Sequence, residues 1–220
     1  MKIVVAPNSF KGSLSATQAA KAIARGVREV FPDADVVEIP VADGGEGTVE
    51  ALVSAHNGTY EWLNVEGPLG DPVLASYGLI DEGLGAVVEL ASASGYVLVS
   101  AAMRDPRKTS TFGFGQLLDA ARKAGAKSVI AGIGSSATND GGVGMAQALG
   151  YRFLDAAGRD LPRGSAALLR LDRIDDSGLH PNWRAIYVRV AFDGTTPHPR
   201  PEGKRAVTGP HKRSPTETAT

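Results

Sequence analysis

The sequence contains no cysteine, which excludes a disulfide framework and any thiolate metal site. Excess charge is missing too: 23 Lys and Arg stand against 24 Asp and Glu, for a net charge of -1. A balanced chain offers no global field for nucleic acid or for an anionic membrane surface, so neither is expected as a partner. No apolar run approaches the roughly 18 residues a membrane span needs. The opening Met1-Lys2-Ile3-Val4-Val5-Ala6 is expected to be a short strand rather than a signal peptide, which points to a soluble, cytoplasmic protein. The four histidines, His56, His180, His198 and His211, lie apart without metal-ligand spacing and receive no role.

What is present is 220 residues of which 43% are hydrophobic, enough for one large α/β domain or two small ones. Ile3-Val4-Val5-Ala6 reads as a buried parallel strand. Ser15 and Gln18 have capping-box spacing, and Ala19, Ala20, Ile23, Val27 and Val30 then line one face of a helix expected to reach residue 31. A strand over residues 36–41 completes a βαβ unit, whose ligands usually sit beyond the strand C-termini.

From Thr59 the pattern changes to short alternating segments separated by Gly67-Pro68-Leu69-Gly70-Asp71-Pro72 and Asp81-Glu82-Gly83, which read as hairpin turns. Around Ser110 the α/β pattern returns, with a helix over 116–124, a strand over 128–133 and a short helix ending at 149. The expected organisation is a parallel, Rossmann-like α/β region at 1–57 and 106–155, interrupted by an antiparallel section at 58–105. Residues 156–220 carry a weak signal, and the Pro- and Thr-rich stretch from Thr195 is expected to be disordered.

Three loops could carry chemistry. Pro7-Asn8-Ser9-Phe10-Lys11-Gly12-Ser13 leads into a helix N-terminus, which favours an anion, and Lys11 adds a positive charge beside it. Walker A spacing is absent. Ala42-Asp43-Gly44-Gly45-Glu46-Gly47-Thr48 combines backbone able to turn sharply or approach a ligand with two carboxylates. Gly132-Ile133-Gly134-Ser135-Ser136-Ala137-Thr138-Asn139-Asp140-Gly141-Gly142 packs hydroxyls, an amide and a carboxylate at a strand end, a composition suited to phosphate oxygens and a hydrated metal ion. Each also has a plain structural reading as a capped helix start or a turn. Lesser candidates are Glu89 at a strand end, Thr109, Ser110 and Thr111 before a helix, and Asp193 after Val188-Arg189-Val190-Ala191-Phe192.

Two other readings compete. Gly132-Ile133-Gly134-Ser135-Ser136-Ala137, with Asp155 downstream, fits a dinucleotide fingerprint and would make the protein an NAD(P)-dependent oxidoreductase. The residues Asn139-Asp140-Gly141-Gly142 argue against the helix such a site needs. The other reading is a non-catalytic remnant that binds small anions and self-associates through an unpaired sheet edge, so that a homodimer forms.

Four segments together resemble the signature set of the glycerate kinase type-1 family: Ala6 to Ser13, Pro40 to Thr48, Val65-Glu66-Gly67-Pro68-Leu69-Gly70, and Gly134 to Gly142. The resemblance is collinear from Met1 to about Asp193. It implies a two-domain α/β kinase that uses ATP and Mg²⁺ and holds D-glycerate in the cleft between its domains. By the same resemblance Lys11 and Ser13 hold phosphate or the glycerate carboxylate. Asp43 is the first choice of base, with Lys11 and Asp140 as further catalytic residues. Asn8, Gly44, Gly45, Glu46, Glu89, Ser136, Thr138 and Asn139 bind substrate or nucleotide, and Asp140 and Asp193 hold metal. The sequence departs from the family at Asn8, where Asp is usual, and at Ser135, where Gly is usual. Beyond Asp193, Gly194-Thr195-Thr196-Pro197-His198 diverges and Gly209-Pro210-His211-Lys212 only echoes the family's pattern. The expectation is an incomplete two-domain fold with weakened activity.

Overall fold

The computed structural model describes residues 1–10 and 13–194. The expectations for Lys11 and for a disordered tail from Thr195 therefore lie outside the described residues. Strands β1 (Lys2–Val5) and β2 (Asp35–Glu38) pair in parallel, connected by helix α1 (Ala16–Val30). The helix starts where expected: Ser15 Oγ accepts from Gln18 N at 3.2 Å, and the Gln18 side chain accepts from Ser15 N at 3.0 Å. Such a cap is worth about 1 kcal/mol.

Its buried face differs from the expected one. Ala16, Ala19, Ala20 and Ala24 are covered, whereas Ile23 and Val30 are 44% and 70% exposed. Small side chains let the helix lie close to the two strands, where Ala20 and Ala24 pack with Val5, Ile3 and Val36. The second strand ends at Glu38, short of the expected Val41, although Ile39 N and Val41 N still donate to Val5 O and Pro7 O at 2.8 and 3.1 Å.

The main sheet runs β3-β4-β5-β6-β9. Strands β3 (Thr59–Glu66), β4 (Pro72–Ile80) and β5 (Gly85–Glu89) are antiparallel; β5, β6 (Ser128–Gly132) and β9 (Tyr187–Ala191) are parallel. Strand β5 thus belongs to both halves of the sheet. The class is α/β, with the antiparallel hairpins built directly onto the parallel strands.

Helix α2 (Thr48–Ala55) covers one face, packing Val49 and Val53 on Ile80 and Val87. A glycine at 78 is required there, since a Cβ would sit 2.1 Å from Val53 Cγ2. Helix α4 (Phe112–Lys123) covers the other face, where Phe114, Leu117, Leu118 and Ala121 join Val65, Ala75, Tyr77, Ala86, Val88 and Val129 in the largest core. Full burial of one such large side chain contributes about 1.5–3 kcal/mol, so this layer dominates the fold's stability.

Smaller elements are α3 (Leu90–Ser94), α5 (Val143–Ala148), the pair β7 (Arg152–Leu154) with β8 (Arg173–Asp175), and short 3-10 turns such as Ser165–Arg170. Among the described residues no helix is long and apolar enough to cross a membrane.

Candidate active site

The three parallel strands of the main sheet end in one row. Glu89 of β5 stands opposite Gly132 of β6, and Gly132 opposite Ala191 of β9. Chain leaving the carboxyl end of a parallel strand is where α/β proteins usually bind ligands. Two of the glycine-rich loops meet here. Gly134 N donates to Gly44 O at 2.7 Å, and a Cβ on Gly44 would lie 2.1 Å from the Ala191 carbonyl oxygen. Only glycine allows that approach, and Gly44 also has φ 90°. A Cβ on Gly132 would lie 2.6 Å from Gly44 O, and one on Gly134 2.7 Å from Gly45, so the two loops touch backbone to backbone.

Asp43 opens this junction. Its Oδ2 accepts from Asn8 Nδ2 at 2.9 Å and its Oδ1 from Gly45 N at 3.1 Å. Both Asn8 and Asp43 are exposed, so the carboxylate is oriented from behind yet open to a ligand. The loop after β1 and the loop after β2 are thereby joined. Asp193 is exposed two residues beyond the end of β9. Ser135, where Gly is usual in the resembling family, has φ 52° and is one of four non-glycine residues with left-handed backbone among the described residues. Its Oγ lies 3.5 Å from Glu46 N.

Glu89 secures the start of α2. Its Oε2 accepts from Val49 N at 3.0 Å. Burial pushes the Glu89 carboxyl above the usual glutamate range, the N–H groups of Val49, Gly47 and Thr48 draw it back, and the charge of Glu46 adds to the rise. The N-terminus of α2 is thus occupied by the protein's own carboxylate.

Between α2 and the edge strand β3 lies a cleft of about 500 Å³. Ser9, Phe10 and Ser13 form one rim; Glu46, Glu50 and Glu89 supply carboxylates; Tyr60 and Trp62 form the opposite wall. In the sequence Lys11 lies between Phe10 and Ser13, outside the described residues. The two aromatics carried no signal at the sequence level, because alternating exposed and buried residues are ordinary in an edge strand.

The third loop divides into two parts. Ser136 Oγ lies 2.7 Å from Thr138 Oγ1 and accepts from Thr138 N at 2.9 Å, and Ala137 N donates to Ser94 O. This part is tied to the chain after β5. Asn139 follows it, partly buried. Asp140, the expected metal ligand, is held by donors of the protein itself. It is 1% exposed; Oδ2 accepts from Thr111 N, Thr111 Oγ1 and Gly144 N at 2.8, 2.9 and 3.1 Å, and Oδ1 from Gly142 N at 3.1 Å. Four donors from two segments occupy the carboxylate, so Asp140 clasps the first turns of α4 and α5 together. Thr111, noted only as a helix start, is its partner.

The oxidoreductase reading fails on the same loop. No helix begins after Gly132-Ile133-Gly134; the chain turns left-handed at Ser135 and α5 starts only at Val143. Asp155 is held in a turn by Ala157 N, Arg159 N and Arg159 Nε rather than facing that loop.

An α/β sheet with glycine-rich loops gathered at its parallel carboxyl ends presents the side on which such sheets usually bind ligands. The chain belongs to the glycerate kinase family, which it matches over residues 3–219. It is 52% identical over 212 residues to a glycerate kinase of Bacillus subtilis (strain 168) and 50% identical over 212 residues to a glycerate 2-kinase of Escherichia coli (strain K12). Each match covers 96% of this chain and 56% of the relative. A solved structure from Salmonella typhimurium LT2, assigned as glycerate kinase 2, superposes with a TM-score of 0.86 at 50% identity, over 100% of this chain and 59% of that one. The chain thus spans little more than half the length of these relatives.

Proposed function

We propose that this chain carries the nucleotide- and acceptor-binding part of a cytoplasmic glycerate kinase, which transfers the γ-phosphoryl group of ATP to a hydroxyl of D-glycerate. The observation that supports this best is the meeting of the Asp43–Thr48 and Gly132–Asn139 loops at the carboxyl ends of β5, β6 and β9, in a chain of that family.

In this reading the acceptor hydroxyl oxygen bonds to the γ-phosphorus as the bond to the β,γ-bridging oxygen breaks, and ADP departs. Asp43, held by Asn8 and Gly45, orients the hydroxyl and takes its proton. Lys11 and Ser13 offset charge on the phosphates or the glycerate carboxylate. Gly44, Gly45 and Glu46 shape the approach, and the Ser136, Thr138 and Asn139 side chains complete the polar wall.

The donor set fits a Mg²⁺ that arrives with the nucleotide. Among the described residues no group of three or more His, Asp or Glu side chains is placed to hold a metal, and Mg²⁺ commonly needs only one or two carboxylates besides phosphates and water. Asp193 is the exposed carboxylate that would hold it, and the ion supplies charge neutralisation of the phosphates. The Escherichia coli relative's name, glycerate 2-kinase, makes the 2-hydroxyl the acceptor to test first. A homodimer would use the outer edge of β9, where Tyr187, Val188 and Val190 are 43–62% exposed; size-exclusion chromatography reports on it.

The test is a coupled ADP-release assay with and without D-glycerate, beside a titration with NADH. Glycerate-dependent ADP release supports the kinase, and NADH binding without it supports the oxidoreductase instead.

A further inference from the structure

The cleft between α2 and β3 has an unexpected composition for a site that must bind two anions. Its described lining contains Glu46, Glu50 and Glu89 and no Lys or Arg. Among the described residues these carboxylates accept hydrogen bonds and give an anion no charge partner. Its outer wall is aromatic: Tyr60 and Trp62 stand two apart on β3, hence on one face, and are 43% and 62% exposed. Across the ladder they face Gly78 and Ser76, small residues that leave room beside the rings. Phe10, 57% exposed, lines the same cleft. Tyr60 shares this lining with Glu46, Glu50 and Glu89, and burial together with the charges of Glu50 and Glu89 raises its pKa.

We infer that this cleft takes the nucleoside end of the nucleotide, its flat base stacked on Trp62 and Tyr60 and its ribose hydroxyls donating to Glu46 and Glu50. The chemistry matches part by part. A base has π-faces for the rings, and an exocyclic amine or a vicinal diol supplies the donors that carboxylates accept. The volume of about 500 Å³ lies within the usual range for small-ligand pockets. The inference rests on the kinase reading for the choice of nucleotide, and it leaves the phosphates to Ser13, which lines the same cleft, and to the glycine-rich loops.

Calorimetric titration of the full chain with adenosine, which has no phosphates, is the test. Adenosine should bind, and Trp62→Ala should weaken it about 10-fold or more, with Glu50→Gln weakening it as well, while D-glycerate binding stays unchanged. Trp62 is exposed on an edge strand, so far-UV circular dichroism should confirm an intact fold. Absence of adenosine binding, or equal affinity in Trp62→Ala, would overturn the assignment. Adenosine binding without glycerate-dependent ADP release would instead leave the nucleoside cleft standing and remove the kinase. Phosphoryl transfer with an unchanged KM for ATP in Trp62→Ala would do the reverse.

Discussion

The Asn8 side-chain amide donates to the Asp43 carboxylate at 2.9 Å, joining the ends of the first two strands of the chain at the candidate reaction centre. In the resembling family an Asp usually occupies position 8, so the amide replaces a second carboxylate with a donor. Asn8→Asp should therefore create a carboxylate pair able to bind a divalent cation. Mn²⁺ titration followed by electron paramagnetic resonance should show tighter binding than in the parent. Equal affinity would mean that the two side chains do not share a site. Asp43→Asn should lower turnover by about 100-fold or more with ligand binding retained, the loss typical of a removed general base.

Asp140 should matter for stability rather than for metal. An asparagine there turns an NH₂ toward the Thr111 and Gly144 N–H groups that the carboxylate now satisfies. Hydrogen bonds to a charged group are worth about 1.5–3 kcal/mol each, so Asp140→Asn should lower unfolding free energy by at least about 2 kcal/mol. Chemical denaturation measures this. The Mg²⁺ dependence of ligand binding should not move, and a shift in it without loss of stability would restore Asp140 as a ligand.

Glu89 predicts a pH dependence. Burial raises its pKa above the ordinary 4.5, so its contribution to stability is fully present below that value and is lost as pH rises through the higher folded value. Glutamine keeps an oxygen for the Val49 N–H but cannot ionise. The melting temperature of Glu89→Gln should therefore rise relative to the parent as pH increases from 4.5 to 8. Parallel curves would mean that Glu89 ionises in the fold without cost.

Ser135 has φ 52°, where an L side chain costs about 1–2 kcal/mol. Ser135→Gly should stabilise the protein by about 1 kcal/mol after allowing for glycine's greater loss of backbone freedom. Ser135→Ala, which keeps the Cβ, should not. Thermal unfolding of the two variants decides it.

Local signals were the legible ones. The Ser15–Gln18 capping box, the hairpin turn at Gly67–Gly70 and the glycine clusters at 44–47 and 132–142 depend on nearby residues, and each stands where the sequence put it. Long-range pairings were not. Nothing in the residue Asp140 says that its donors come from Thr111 and Gly144. The exposed Ile23 and Val30 follow from how closely α1 approaches two strands, a distance set by alanines on its other face. The cleft was missed because Tyr60 and Trp62 become a wall only once α2 is laid across β4 and β5.

The central claim is phosphoryl transfer to glycerate by this chain, and ³¹P nuclear magnetic resonance of one mixture tests it most directly. With Mg-ATP and D-glycerate the account predicts a new phosphomonoester resonance growing with the ADP signals, split by the carbon-2 proton if the 2-hydroxyl is the acceptor, and growing about 100-fold or more slower in Asp43→Asn. ADP formed at the same rate without glycerate, or no new ester at any protein concentration, would contradict it.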